Sequence, residues 1–255
     1  MNDRTSIPTR DVLGLPLAAL TTRDVQNYLL EQARLRRRPA RVGYLNADQV
    51  NRAFSEPGFA GVMGGLDVLY ADGQAVVWTA RWLGRPVPER VNAGDFAREF
   101  IAAAADAGLR LALLGGRSDE TQRCADCFCA WAPDLKIVFM HHGFFSPGNE
   151  TEQVRGALEA ADPDLVMVGM GAPRQERLVL DWSRRGRPRV WWCVGALFEY
   201  YAGRRRRAPV WMRRFGLEWL FRLALEPRRL WRRYLFGNPL FLLHVARGRP
   251  VTFDH

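Results

Sequence analysis

Asp72 stands between the apolar run Leu66-Asp-Val-Leu-Tyr-Ala71 and Gly73. A carboxylate at the end of a strand, in a tight turn, is placed to act as a general base on a hydroxyl. Turn chemistry alone also selects Asp before Gly, so the residue type admits both readings. Asn46 follows the run Arg41–Leu45 and has the same ambiguity; Asp95, after Gly94, has the character of a helix N-cap. A second chemical signal is the set of glycine turns Gly115-Gly116, Gly169-Met-Gly171 and Gly195-Ala196, each after an apolar run. Open parallel sheets bind ligands at the carboxyl ends of their strands. Glycine turns there present bare N–H groups beside a helix N-terminus, which suits phosphate. None is a full GxGxxG, and GxxxxGK[ST] is absent, so a P-loop is excluded. In Gly169-Met-Gly-Ala-Pro-Arg-Gln-Glu176, Pro173 suits the first helical turn and sets Arg174, Gln175 and Glu176 where a nucleotide is read.

These residues need strands and helices to place them. Leu111–Leu114, Lys136–Met140, Leu165–Val168 and Val190–Val194 read as strands. They alternate with helical patterns over residues 118–131, 150–161 and 173–185, a unit every 25–30 residues. That alternation predicts an α/β, Rossmann-like, mostly parallel sheet with helices on both faces. Upstream, residues 22–38 read as a helix with Thr22 as N-cap, residues 41–46 and 66–71 as strands, and residues 47–55 and 95–107 as helices. The apolar stretch Val12–Leu20 lacks a dense basic flank and an A-x-A-like site, so it reads as a first strand or hairpin rather than a signal peptide.

Charge divides the 255-residue chain. Residues 1–203 hold 24 basic and 24 acidic side chains, whereas residues 204–249 carry 13 arginines against Glu218 and Glu226. The expected organisation is a Rossmann-like catalytic body, 1–203, and a basic amphipathic appendage, 204–255. Such a tail points to an anionic partner: membrane, nucleic acid or diphosphate. Its arginines are interleaved with Trp211, Trp219, Trp231, Phe215, Phe221, Tyr234 and Phe236 over two or three short helices. That is the composition of an interfacial helix, which favours an anionic membrane surface over nucleic acid. A tail this apolar can also be masked by self-association. No apolar run reaches the length of a spanning helix. Cys124, Cys127 and Cys129 crowd one helical pattern and read as small hydrophobes in a reducing compartment. With no HExxH, GxSxG or Asp-rich motif, no metal site and no cofactor are expected.

Taken in order, several segments resemble the WecG/TagA/CpsF glycosyltransferases of bacteria, glycosyltransferase family 26. They are Leu45-Asn46-Ala47, Tyr70-Ala-Asp72-Gly73, Glu89-Arg-Val-Asn-Ala-Gly94-Asp95, Leu113-Leu-Gly-Gly116, Gly169–Glu176, Val194-Gly-Ala-Leu-Phe-Glu199 and Ala202-Gly203. The most specific are Arg207-Ala-Pro, Gly216-Leu-Glu-Trp-Leu-Phe-Arg222, Glu226-Pro227 and Arg232-Arg-Tyr. The resemblance implies inverting, metal-independent transfer of a sugar from a UDP-sugar to a polyprenyl-diphosphate-linked acceptor, in surface or exopolysaccharide assembly. It implies a peripheral enzyme on the cytoplasmic face of the bacterial inner membrane.

By the same resemblance Asp72 is the general base. Asn46, Gly94, Asp95, Gly116, Gly171, Pro173, Gln175, Glu176, Gly195 and Glu199 bind the donor nucleotide. Arg222, Arg229 and Arg232 contact the diphosphate. Two positions depart from the family pattern and bear on donor choice: Tyr44 stands where Thr is common, and Glu199 where Asp is usual. The chemistry is consistent with the composition, because without a metal the cations on a departing diphosphate must be arginines, which fork onto phosphate. A non-catalytic nucleotide-binding module at the membrane, and a nucleic-acid binder working through the tail, are the competing classes.

Overall fold

The computed structural model describes residues 7–35, 38–185 and 188–252. In chain order the elements are β1 (Thr9–Val12), β2 (Leu15–Ala18), α1 (Thr22–Arg34), β3 (Ala40–Leu45), α2 (Ala47–Ser55), α3 (Phe59–Gly64), β4 (Val68–Ala71), α4 (Gln74–Trp82) and α5 (Ala93–Asp106). Next come β5 (Arg110–Gly115), α6 (Ser118–Trp131), β6 (Lys136–His141), α7 (Asn149–Ala160), β7 (Leu165–Gly169), α8 (Arg174–Trp182), β8 (Val190–Cys193) and α9 (Leu197–Tyr201). The tail holds α10 (Val210–Arg214), α11 (Glu218–Leu225), α12 (Pro227–Trp231), a π-helical turn (Arg232–Phe236) and α13 (Gly237–Arg247). The chain divides into two compact units, one of residues 22–43 and 93–205, the other of 1–21, 44–92 and 206–255.

The first of these units is the α/β layer that the alternation predicts. Its strands run in the order β3-β8-β7-β5-β6, and β3–β8, β8–β7, β7–β5 and β5–β6 are all parallel. Strands β7 and β8 are buried at every residue, as parallel strands covered on both faces must be. Helices α6 and α8 pack on the strands beside them, and α1 packs on β8. Trp192 of β8 fills the layer under α5, its ring 5.5 Å from Phe96 and 5.1 Å from Phe100. Cys124 is buried, Cys127 half-buried and Cys129 exposed on α6, all as free thiols. Helix α1 ends at Arg34, short of the expected residue 38; residues 36 and 37 of that expectation lie outside the described residues.

The second unit begins with the hairpin β1–β2, paired antiparallel, as the N-terminal apolar stretch suggested. Leu13 and Gly14 both have positive φ, 56° and 87°, the conformation of a two-residue hairpin turn. Strand β3 ends in this unit, and β4 lies beyond it in the strand order β4-β3-β8-β7-β5-β6. Two helices here were not anticipated. Helix α3 is six residues with two glycines, too short for a periodic signal. Helix α4, with the sequence QAVVWTARW, is rich in β-branched and aromatic residues and reads locally as strand. It is helical because Val76, Thr79 and Ala80 form one buried face at i, i+3 and i+4.

The arginine-rich tail, expected as an appendage to a 1–203 body, groups with this unit. Helix α13 packs on α2, with His244 stacked on Phe54 at 3.9 Å, and Asn51 Nδ2 donates to the Gly237 carbonyl at 2.7 Å. Further along, Val251 N donates to the Leu13 carbonyl at 2.8 Å. Pro227 does not break the tail but opens α12, where its missing N–H costs nothing.

Candidate active site

Asp72 lies at the carboxyl end of β4, one residue past the strand, and its amide donates to the Leu45 carbonyl at 3.0 Å. Gly73 then caps α4. The Asp72 carboxylate is half-buried, and its Oδ1 accepts from Asn92 Nδ2 at 2.5 Å. Asn92 is itself held, its Oδ1 accepting from Arg207 at 3.1 Å. Arg90 faces Glu218 of α11 at 3.6 Å, and both act on Asp72 together with Arg222. Burial raises the Asp72 pKa above the ordinary carboxylate value; Arg90, the Asn92 hydrogen bond and Arg222 pull it down, Glu218 pushes it up, and the net shift is upward. A carboxylate fixed in direction and raised in pKa is a stronger proton acceptor than a free one.

The neighbours give this arrangement a pH signature. If ionised Asp72 accepts a proton, the rate rises as pH passes upward through its pKa, and the acidic limb is shifted upward from that of an ordinary aspartate. Glu218→Gln removes a like charge and moves that limb to lower pH, whereas Arg90→Gln removes an opposite charge and moves it to higher pH. Profiles of kcat/KM against pH for the two variants check both signs. A limb that moves in neither belongs to another group.

Asn46 lies close by: a Cβ built on Gly73 would come within 3.3 Å of the Asn46 Cβ. Its side chain is engaged in a capping box at the start of α2, accepting from Gln49 N at 3.2 Å while Gln49 Oε1 accepts from Asn46 N at 3.2 Å. Tyr44, one of the two departures, has its ring 6.3 Å from that of Tyr70.

In the α/β unit the glycine turns do gather at the carboxyl ends of β5, β7 and β8, but their N–H groups are not bare. Gly116 N donates to the Gly169 carbonyl at 3.0 Å, and the Gly116 carbonyl accepts from Gly143 at 2.9 Å. Gln175 Oε1 accepts from both Gly171 N, at 3.2 Å, and Gly195 N, at 3.1 Å. The fully buried Gln175 carboxamide thus joins the turn after β7 to the turn after β8, and its Nε2 donates to the equally buried Glu176 at 2.7 Å. These three amides thus have partners within the fold, because two parallel strands end side by side and one amide side chain bridges their loops. Pro173 is the cap before α8 rather than a residue of its first turn.

The remaining expected positions are spread around this layer. Gly94 and Asp95 lie in the first turn of α5, which starts at Ala93; the Gly94 carbonyl accepts from Tyr201 Oη at 2.8 Å, and Asp95 is exposed. Glu199 on α9 pairs with Arg205 at 2.5 Å, and Arg204 pairs with buried Glu120. Arg174, exposed, lies over the Phe145 ring at 5.1 Å.

Of the three tail arginines, Arg222 is among the charges acting on Asp72. Arg229 pairs with Glu226 at 2.6 Å, and Arg232 lies 5.3 Å over the Trp231 ring. Reasoning from sequence missed Arg90, Asn92 and Glu218 as partners of Asp72, and Arg207 as the partner of Asn92. All four lie in segments that carried the family resemblance, which was the available signal. Among the described residues no group of three or more His, Cys, Asp or Glu could hold a metal ion.

A parallel α/β sheet and, at the end of β4, a carboxylate of raised pKa in the field of Arg90 and Arg222 fit a group-transfer enzyme. Residues 10–252 match the model of the Glycosyl transferase WecG/TagA/CpsF family, and the chain belongs to that family of glycosyltransferases. It is similar to the N-acetylglucosaminyldiphosphoundecaprenol N-acetyl-beta-D-mannosaminyltransferase of Staphylococcus aureus (strain MRSA252), 26% identical over 204 residues that cover 80% of this chain and 78% of that protein.

Proposed function

We propose that this enzyme transfers a sugar, with inversion and without a metal, from a UDP-sugar to an undecaprenyl-diphosphate-linked N-acetylglucosamine acceptor. The acceptor is taken from the name of the staphylococcal relative; the donor class, the inversion and the metal independence come from the resemblance. The observation that carries the reading is the Asp72 carboxylate, fixed by Asn92 and raised in pKa, with Arg90 and Arg222 in its field. An acceptor hydroxyl oxygen attacks the anomeric carbon and gives its proton to Asp72. The bond from that carbon to the diphosphate oxygen breaks, and UDP leaves with the electron pair. Arginine supplies cationic stabilisation to diphosphate in such a displacement.

The turns around Gly116, Gly171 and Gly195, with Glu199 and Asn46, are assigned to the donor nucleotide by the resemblance. Arg222, Arg229 and Arg232 are assigned to the acceptor diphosphate. The tail holds the enzyme at the cytoplasmic face of an anionic membrane, its tryptophans at the acyl boundary. No described helix is long and apolar enough to cross a membrane. The test is UDP release from a panel of UDP-sugars, with a polyprenyl-diphosphate-linked N-acetylglucosamine acceptor and EDTA. Acceptor-dependent release from one donor is expected. Release that EDTA abolishes would overturn metal independence, and silence across the panel would overturn the donor class.

A further inference from the structure

Helix α4 carries a second aromatic surface that lies outside the tail sequence. Trp78 and Trp82 are 57% and 66% exposed, and Arg81, also exposed, stands between them. The three positions fall at i, i+3 and i+4 and share one helix face, opposite buried Val76, Thr79 and Ala80. Two tryptophans this open to water are unusual on a surface that meets only solvent. The face is also continuous with the tail: a Cβ on Gly216 would come within 2.9 Å of Gln74 Cγ and 3.2 Å of Trp78 Cη2. Next to Gly216 stands Phe215, 67% exposed, and Trp211, 58% exposed, is one turn away.

We propose that α4 is a membrane-interfacial helix, its Trp78–Arg81–Trp82 face entering an anionic bilayer surface beside the tail. The inference rests on the membrane reading of the tail and extends it to the body of the enzyme. Charge selects the occupant. Residues 204–249 carry 13 arginines and two glutamates, and both glutamates already face arginines, Glu218 with Arg90 and Glu226 with Arg229. A second copy of this chain would bring the same positive surface to this one and be repelled, whereas anionic head groups neutralise it. Tryptophan at the head-group boundary with arginine beside it is the chemistry of an interfacial helix. Because α4 begins two residues after Asp72, its depth in the bilayer sets the height of Asp72 above the lipid.

The full-length protein is tested by co-sedimentation with vesicles of equal parts phosphatidylglycerol and phosphatidylcholine. Trp82→Ser is expected to weaken partition by about tenfold, and Trp78→Ser with Trp82→Ser further, from the apolar area each tryptophan would bury. Far-UV circular dichroism and the thermal midpoint stay unchanged, since Trp82 leaves the core untouched, and Trp82→Phe restores most of the binding. Wild-type protein that ignores these vesicles overturns the membrane reading and this inference together. Wild-type binding that equals that of the serine variants overturns α4 alone and leaves the tail as the anchor. A serine variant that loses self-association in sedimentation, with vesicle binding intact, overturns it in favour of a second copy.

Discussion

Asp72→Asn is expected to lower turnover by roughly 10²–10⁴-fold, the usual contribution of a general base, and at the same time to make the protein more stable at neutral pH. The loss follows from the proton: Asn keeps the shape and can still accept from Asn92, but it cannot take a proton from a hydroxyl. The gain follows from linkage. Because the folded-state pKa of Asp72 is raised, the folded protein holds its proton to higher pH than the unfolded chain does. Stability therefore falls as pH rises from the unfolded value through the folded one, and the cost persists at neutral pH. Asn carries no such cost. Below the ordinary carboxylate value both states are protonated, and the advantage disappears. Thermal midpoints of the two proteins at neutral pH and near pH 3, beside their turnover numbers, check both halves. A variant that turns over normally removes Asp72 from the chemistry; one that is inactive and less stable makes it a structural residue.

Gly115→Ala is expected to destabilise the protein by about 3 kcal/mol or more, at the severe end for a single substitution. Gly115 has φ of 142°, and a Cβ there would stand 2.4 Å from the carbonyl carbon and oxygen of Gly169. Both atoms are backbone, in register across β5 and β7, so no side chain can move aside. Relief requires parting the two strands, which breaks the Gly116–Gly169 hydrogen bond. Gly169 cannot retreat either, because its own Cβ position lies 2.8 Å from the Phe198 ring. Gly116→Ala is the control: its φ of 64° is strained for alanine, but nothing lies within 3.4 Å, so the cost is about 1 kcal/mol. Urea denaturation of both variants gives the comparison, and equal costs would mean that the strand pair yields more easily than its geometry suggests.

The sequence made the α/β layer legible because each parallel strand is a short apolar run closed by glycine and followed by a helix, a local pattern. Asp72 was legible for the same reason, as an acid at a strand end before Gly73. What surrounds it was not. Arg90, Asn92 and Glu218 act on Asp72, and Arg207 holds Asn92, from up to 146 residues away, and no local spacing encodes such a meeting. Helix α4 was hidden by its β-branched composition, since burial of one face rather than propensity makes it helical. The role of Gln175 was hidden because a polar residue beside glycines looks like a ligand contact. Only the fold shows that its carboxamide is buried between two loops.

The second compact unit is assembled from three stretches of chain that the other unit interrupts twice. Its last stretch brings Glu218 and Arg222 to Asp72, α13 to α2, and Val251 to the hairpin turn at Leu13. During synthesis the strands β5, β7 and β8 and their helices are made before any of this stretch, and folding generally proceeds from the N-terminal side. Asp72 is translated early but acquires its electrostatic surroundings late, after more than a hundred further residues. With Asp72 as the proposed base, activity is therefore expected only once the arginine-rich tail has been made and Glu218 and Arg222 stand beside that carboxylate.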